Sequence, residues 1–163
     1  MAMVENSSPE AEPSDNYLEL LQLVERLHRQ LLDVVKDELD RKGMDDLNSV
    51  QALLLFNIGD QELTAGELRT RGHYLGSNVS YNLKKLVDAD YLRHERSEAD
   101  RRAVRVSLTE RGHAVRARLT KLFVRQGLSL APVGGVDTQQ LPMVNTALTR
   151  IERFWADHIR FRM

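Results

Sequence analysis

The chain has 163 residues, 42% hydrophobic and 29% charged, with a formal net charge of -1 and no cysteine. Such a length suffices for an apolar core without metal or disulfide staples, and the lack of thiols excludes cysteine nucleophiles, thiolate zinc sites and cysteine redox sensing. The near-zero total hides an asymmetry: residues 1–68 hold 5 basic and 15 acidic residues, whereas residues 69–125 hold 14 and 6. That distribution points to a polyanion-facing surface in the middle of the chain; the plainer alternative is a solvated basic face balanced by an acidic segment.

Residues 1–14, "MAMVENSSPEAEPS", are acidic, carry two prolines and show no apolar period, so a disordered arm is expected. No segment reads as a secretion signal and no apolar run approaches the ~20 residues of a membrane span. A soluble, cytoplasmic protein is expected.

From Tyr17 the pattern is helical. Leu20, Val24, Leu27, Leu31 and Val34 alternate steps of four and three, a second stripe runs beside them, and Gly43 closes the helix. Asn48 with Gln51 and Thr64 with Glu67 both have capping-box spacing, predicting helices over about 49–58 and 65–72. Gly76 or Ser77 caps the next, which runs to about Ala89. The period then switches to two: "YLRHERS" (91–97) and "AVRVSLT" (103–109) flank a polar turn and read as a β-hairpin. Thr109 caps a helix over about 110–127, ended by Gly127. After a loop with Pro132, Gly134 and Gly135, a last helix carries Leu141, Val144, Leu148, Ile151, Trp155 and Ile159, with Pro142 in its first turn.

This order predicts a mainly α fold with a small β-hairpin wing (α+β), a winged helix-turn-helix with long terminal helices. A helix-turn-helix lays its second helix in the major groove. Over residues 76–89 the inward stripe is Val79, Leu83, Leu86 and Val87, leaving Ser77, Asn78, Ser80, Tyr81, Asn82, Lys84 and Lys85 outward. Asn bonds adenine in bidentate fashion, Ser serves a base or a phosphate, the Tyr hydroxyl reaches phosphate and Lys neutralises the backbone. A merely solvated amphipathic helix has a similar composition. The hairpin favours the DNA reading, because Arg101 and Arg102 sit at its tip, where arginine can enter a narrow minor groove. Asp100 can orient one guanidinium; otherwise the group is an exposed salt bridge closing a turn.

The stretch "DRRAVRVSLTERG" (100–112), preceded by "LTAGELRTRGHYLGSNVSYNLKKLVDADYLRHERSEAD", resembles the MarR family of winged-helix transcriptional regulators, and the helix order is similar over residues 17–160. The resemblance implies that the helix over 77–89 enters the major groove, and that the wing arginine, by position Arg102 oriented by Asp100, enters the minor groove. The opening "GSNVSYN" departs from the commoner Ser-Thr-Val-Thr type, so no operator sequence carries over. The apolar stripes of the terminal helices exceed what a small winged helix needs. The resemblance implies that Leu20, Val24, Leu27, Leu148, Ile151, Trp155 and Ile159 interlock with a second subunit, rather than forming a monomeric cap. The expected organisation is a single unit over 15–163, with a DNA-binding lobe over about 46–109 and a helical dimerisation region over 17–42 and 110–163. A twofold dimer reads a pseudo-palindrome with half-sites about 34 Å apart.

Many proteins resembling this family release DNA on binding a small, often aromatic or phenolic molecule. Leu53 and Phe56, with Asn57 as a polar handle, are the candidate lining, although core packing also explains "ALLLF" (52–56). His28, His73, His94, His113 and His158 form no ligand-spaced pair, so no metal site or cofactor is expected; a metal-responsive regulator would need distant carboxylates to converge. No Walker loop, nucleophile elbow or HExxH is present, and no enzyme is expected. The expectation is a homodimeric, ligand-responsive DNA-binding regulator, a repressor before an activator. The rival is a winged helix serving as a protein-interaction module.

Overall fold

The computed structural model describes residues 14–64, 66–68, 76–96, 98 and 104–162. The chain forms two compact units, residues 1–116 and 117–163.

In the first unit, α1 (Asp15–Arg41) starts at Ser14, whose hydroxyl accepts from the Tyr17 amide, and has an acid in its first turn and a base in its last. Gly43 takes a left-handed φ of 65°, and the Met44 N–H returns to the Leu39 carbonyl, the stop expected at that glycine. Only the C-terminal part of α1 is core, through Val35 and Leu39. There the Ser49 hydroxyl donates to the Leu32 carbonyl at 2.7 Å, joining α1 to α2 (Ser49–Ile58). The Asn48–Gln51 capping box is complete in both directions. Helix α2 buries Ala52, Leu54, Leu55 and Ile58, together with Gln51 of its cap.

A strand not anticipated follows. β1 (Leu63–Thr64) pairs antiparallel with β3, Leu63 opposite Val106. The Thr64–Glu67 box also forms, with Thr64 N–H to Glu67 Oε2 at 2.9 Å and Glu67 N–H to Thr64 Oγ1 at 3.1 Å; of the helix expected at 65–72, the described residues 66–68 are helical. Helix α3 (Gly76–Asp88) ends in a Schellman arrangement. Asp90, at φ 63°, stands where glycine is usual, and the Tyr91 and Asp90 amides return to Leu86 and Val87. β2 (Leu92–Arg96) and β3 (Val104–Leu108) form the hairpin, Leu92 opposite Leu108 and Arg96 opposite Val104. The sheet order is β1-β3-β2, which leaves β2 outermost with four of its five residues exposed.

Thr109 caps the next helix through its hydroxyl, which accepts from the Gly112 N–H at 3.1 Å. At Gly112 a Cβ would lie 2.2 Å from the Tyr91 carbonyl oxygen, so close contact between helix and strand end requires glycine there. Helix α4 runs Glu110–Ser129, past the expected stop at Gly127. A mid-helix glycine costs only about 1 kcal/mol, and the turn that ends the helix instead returns the Val133 and Gly134 amides to Ser129.

In the second unit Asp137 caps a 3-10 turn, Thr138–Gln140. It leads into α5 (Leu141–Phe161), with Pro142 in the first turn and no buried residue.

Candidate nucleic-acid interface

Helix α3 is two-sided. Val79, Leu83 and Leu86 are buried and Val87 is half-buried, while Asn78, Ser80, Tyr81, Lys84 and Lys85 are exposed. Steps of three and four bring Asn78, Tyr81 and Lys85 to one stripe. Tyr81 is 62% exposed, and the Lys85 ammonium lies 5.6 Å from its ring centroid, a cation–π pair that orders two long side chains on the solvent face. Asp88 is the only acid of this helix, so the face is polar and cationic along three turns.

Asn82 differs from the outward position read from the sequence. It is half-buried, and its Oδ1 accepts from Gln51 Nε2 of α2 at 3.3 Å. At 100° per residue it sits one turn beyond Asn78 yet beside the buried stripe, where a long side chain on α2 reaches it. The Ser77 side chain lies outside the described residues, as do Asp100, Arg101 and Arg102.

The base of the wing lies against α3. Leu83, Lys84, Val87 and Asp88 face His94, Val104 and Val106 across a crevice of about 370 Å³. Helix and hairpin are therefore neighbours on one side of the lobe, with Lys84 at their junction. Beyond it β2 and β3 expose Arg93, His94, Arg96 and Arg105; Arg105 is 3.9 Å from Glu62.

A clamp invisible to local pattern fixes this geometry. Asp46, in the α1–α2 loop, accepts from the Tyr91 hydroxyl at 2.8 Å and from Arg111 Nη2 at 2.7 Å. Arg111 Nη1 donates to the Ala89 carbonyl at 2.6 Å, and the guanidinium lies 4.3 Å from the Tyr91 ring centroid. One arginine thus covers a carbonyl at the C-terminal end of α3, stacks on the residue that opens the wing and ties both to the α1–α2 loop. Burial, with help from the Asp46 carboxylate, pushes the Tyr91 phenol above its usual range, and Arg111 opposes this.

Of the expected ligand-lining residues on α2, Leu53 and Phe56 are half-buried and Asn57 is exposed. Of the expected dimer contacts on α1, Leu20 and Val24 are half-buried and Leu27 is 60% exposed. On α5, Ile151 and Trp155 are half-buried, Leu148 is exposed and Ile159 is 75% exposed. Among the described residues no three His, Asp or Glu side chains gather as a metal-holding group, and no helix is long and apolar enough to cross a membrane.

A family profile described as a winged helix DNA-binding domain matches residues 47–112, which run from the start of α2 through the clamp arginine. The exopolysaccharide II synthesis transcriptional activator ExpG of Rhizobium meliloti (strain 1021) is 37% identical over 145 residues, covering 89% of this chain and 74% of ExpG. Two solved structures share the fold. A variant of MarR from E. coli complexed with operator DNA has a TM-score of 0.67 at 17% identity, covering 86% of this chain and 99% of that one. BpsR of Bordetella bronchiseptica, described with the regulation of its DNA binding by 6-hydroxynicotinic acid, has a TM-score of 0.66 at 18% identity, covering 82% and 98%. With a polar, cationic helix set beside a hairpin wing and a relative this similar over most of both chains, the protein belongs to the MarR family of winged-helix transcriptional regulators.

Proposed function

We propose that this regulator is a cytoplasmic homodimer that reads a pseudo-palindromic duplex operator, with α3 in the major groove and the wing tip in the minor groove. The observation that carries the reading is the outer face of α3. Asn78, Tyr81, Lys84 and Lys85 are exposed together, with the wing base against the same helix, so one lobe offers hydrogen-bonding groups and positive charge to a single stretch of duplex. Asp100, Arg101 and Arg102 supply the wing contact in this reading.

Two long helices support the dimer. Helix α1 leaves Leu18, Leu23, Leu27 and Leu31 exposed, and α5 leaves Val144, Leu148, Phe154 and Ile159 exposed. A 21-residue amphipathic helix with no fully buried residue is what a partner surface outside its own chain would explain.

A small aromatic effector is part of the proposal. The half-buried Leu53 and Phe56 beside exposed Asn57 and the 6-hydroxynicotinic acid response of BpsR support it. Such a ligand acts by binding one half-site spacing more tightly than the other. Repression is the expected sign where the operator overlaps a promoter, whereas ExpG is named an activator; a promoter-fusion reporter separates the two. No catalytic activity is proposed.

Fluorescence anisotropy on duplexes selected from a randomised pool tests the reading. Several phosphate contacts make log K fall steeply with log salt, by about 0.9 per contact. A flat salt response, the signature of an apolar protein-interaction module, would defeat it.

A further inference from the structure

The Asn82 amide is held in one orientation by a relay that begins at the N-cap of another helix. The Asn48 backbone N–H donates to Gln51 Oε1 at 3.1 Å. A backbone N–H can only donate, so the Gln51 carbonyl is committed to the cap and its amide nitrogen becomes the free end. That nitrogen, Nε2, lies 3.3 Å from Asn82 Oδ1. It can only donate in turn, so Asn82 must turn its carbonyl toward α2 and its NH2 away from it. Gln51 is 8% exposed, and the backbone N–H at the start of the relay cannot act as an acceptor, so the polarity of the relay is set from that end. No other hydrogen bond to the Asn82 amide is made among the described residues.

We propose that Gln51 is a positioning residue for DNA recognition, fixing the half-buried Asn82 as a one-way hydrogen-bond donor at the margin of the operator-facing side of α3. The inference rests on the DNA-binding reading. Its consequence is chemical: bidentate recognition of adenine needs an asparagine that shows carbonyl and amide together, and Asn82 has turned its carbonyl inward. It therefore seeks a single acceptor on the duplex, either a phosphate oxygen or the acceptor edge of a base, one turn along from Asn78. Specificity at this position is set by a residue of α2 that never touches DNA.

Gln51→Glu tests this, because it keeps the oxygen that accepts from Asn48 and replaces the donor by an acceptor. The amide of Asn82 must then reverse, giving its NH2 to the new carboxylate and showing its carbonyl to DNA. The charge introduced sits at a helix N-terminus, where a carboxylate is favoured. Three measurements read the outcome: thermal stability, the side-chain NH2 resonances of Asn82 (assigned by their loss in Asn82→Asp), and affinity for duplexes selected from a randomised pool by the wild type.

The expected result is a folded Gln51→Glu protein with shifted, exchange-protected Asn82 NH2 protons and roughly tenfold weaker binding. A uniform loss across sequences identifies a phosphate acceptor, and a changed preference at one base pair per half-site identifies a base. Asn82→Ala should weaken binding to a similar extent and abolish the further effect of Gln51→Glu. The proposal is overturned if the Asn82 resonances stay where they were, or if Gln51→Glu weakens binding equally in the Asn82→Ala background, which is a charge effect alone. If the wild type retains no duplex, the DNA-binding reading falls, while the NH2 resonances still decide the orientation of the relay.

Discussion

The Tyr91 hydroxyl donates to Asp46 Oδ1 at 2.8 Å across 45 residues of sequence, and the same carboxylate takes Arg111 Nη2 on its other oxygen. Asp46→Ala leaves the hydroxyl of a ring that is 1% exposed without its acceptor. A loss of about 2 kcal/mol is expected in urea denaturation. Arg111 is half exposed, so solvent screens its share and Arg111→Ala should cost about 1 kcal/mol. The double variant should lose less than the sum, since the three groups form one network.

The same phenol carries a pH dependence. Its folded-state value is raised, first by burial and then by Asp46, so the folded protein holds this proton where the unfolded chain has released it. Stability contributed by Tyr91 is complete below about pH 10 and is lost as pH rises through the raised value. Unfolding free energy measured between pH 9 and 11 should fall more steeply for the wild type than for Tyr91→Phe. Equal slopes would remove the assignment.

Gly112→Ala places a methyl group 2.2 Å from the Tyr91 carbonyl oxygen, an obstacle of backbone rather than a movable side chain. A loss of about 3 kcal/mol is expected, with the wing displaced. Thermal denaturation reads the stability, and the tyrosine near-ultraviolet circular dichroism band reads the strand end.

On DNA, Lys84→Ala and Lys85→Ala should each lower the slope of log K against log salt by about 1 while leaving sequence preference intact. Arg102→Ala should weaken binding to every duplex, whereas Asn78→Ala should relax preference at particular base pairs. A salt series on specific and scrambled duplexes separates these outcomes.

For assembly, Leu27→Glu on α1 and Ile159→Glu on α5 replace apolar groups that are 60% and 75% exposed in the single chain. Neither should disturb the lobe around α2 and α3. Each should convert a dimeric mass in light scattering to a monomeric one at micromolar concentration.

The elements whose signals are local could be read from the residues themselves. Both capping boxes, the Gly43 stop, the Thr109 cap and the two faces of α3 follow from side chains within four positions of each other. β1 could not be found that way. Two residues carry no period, and Leu63–Thr64 becomes a strand only because β3 offers it hydrogen bonds. Gly127 misled for the opposite reason: a weak local penalty was outweighed by the rest of α4. The Asp46–Arg111 and Gln51–Asn82 pairs are separated by 65 and 31 positions, so nothing near either residue announces its partner. Arg111 could have been suspected only from its place in "LTERG", and Asn82 was read by helical angle alone, which cannot show a side chain reaching up from α2.

β2 is an edge of the sheet, with no strand beyond it among the described residues. Its sequence after Leu92 is Arg93, His94, Glu95 and Arg96, all exposed. Unpaired strand edges invite other chains to add to them, and charged side chains are a common deterrent. The outer strand of the wing is thereby guarded against stacking into fibrils, by side chains that also suit it to the polyanion contact proposed above.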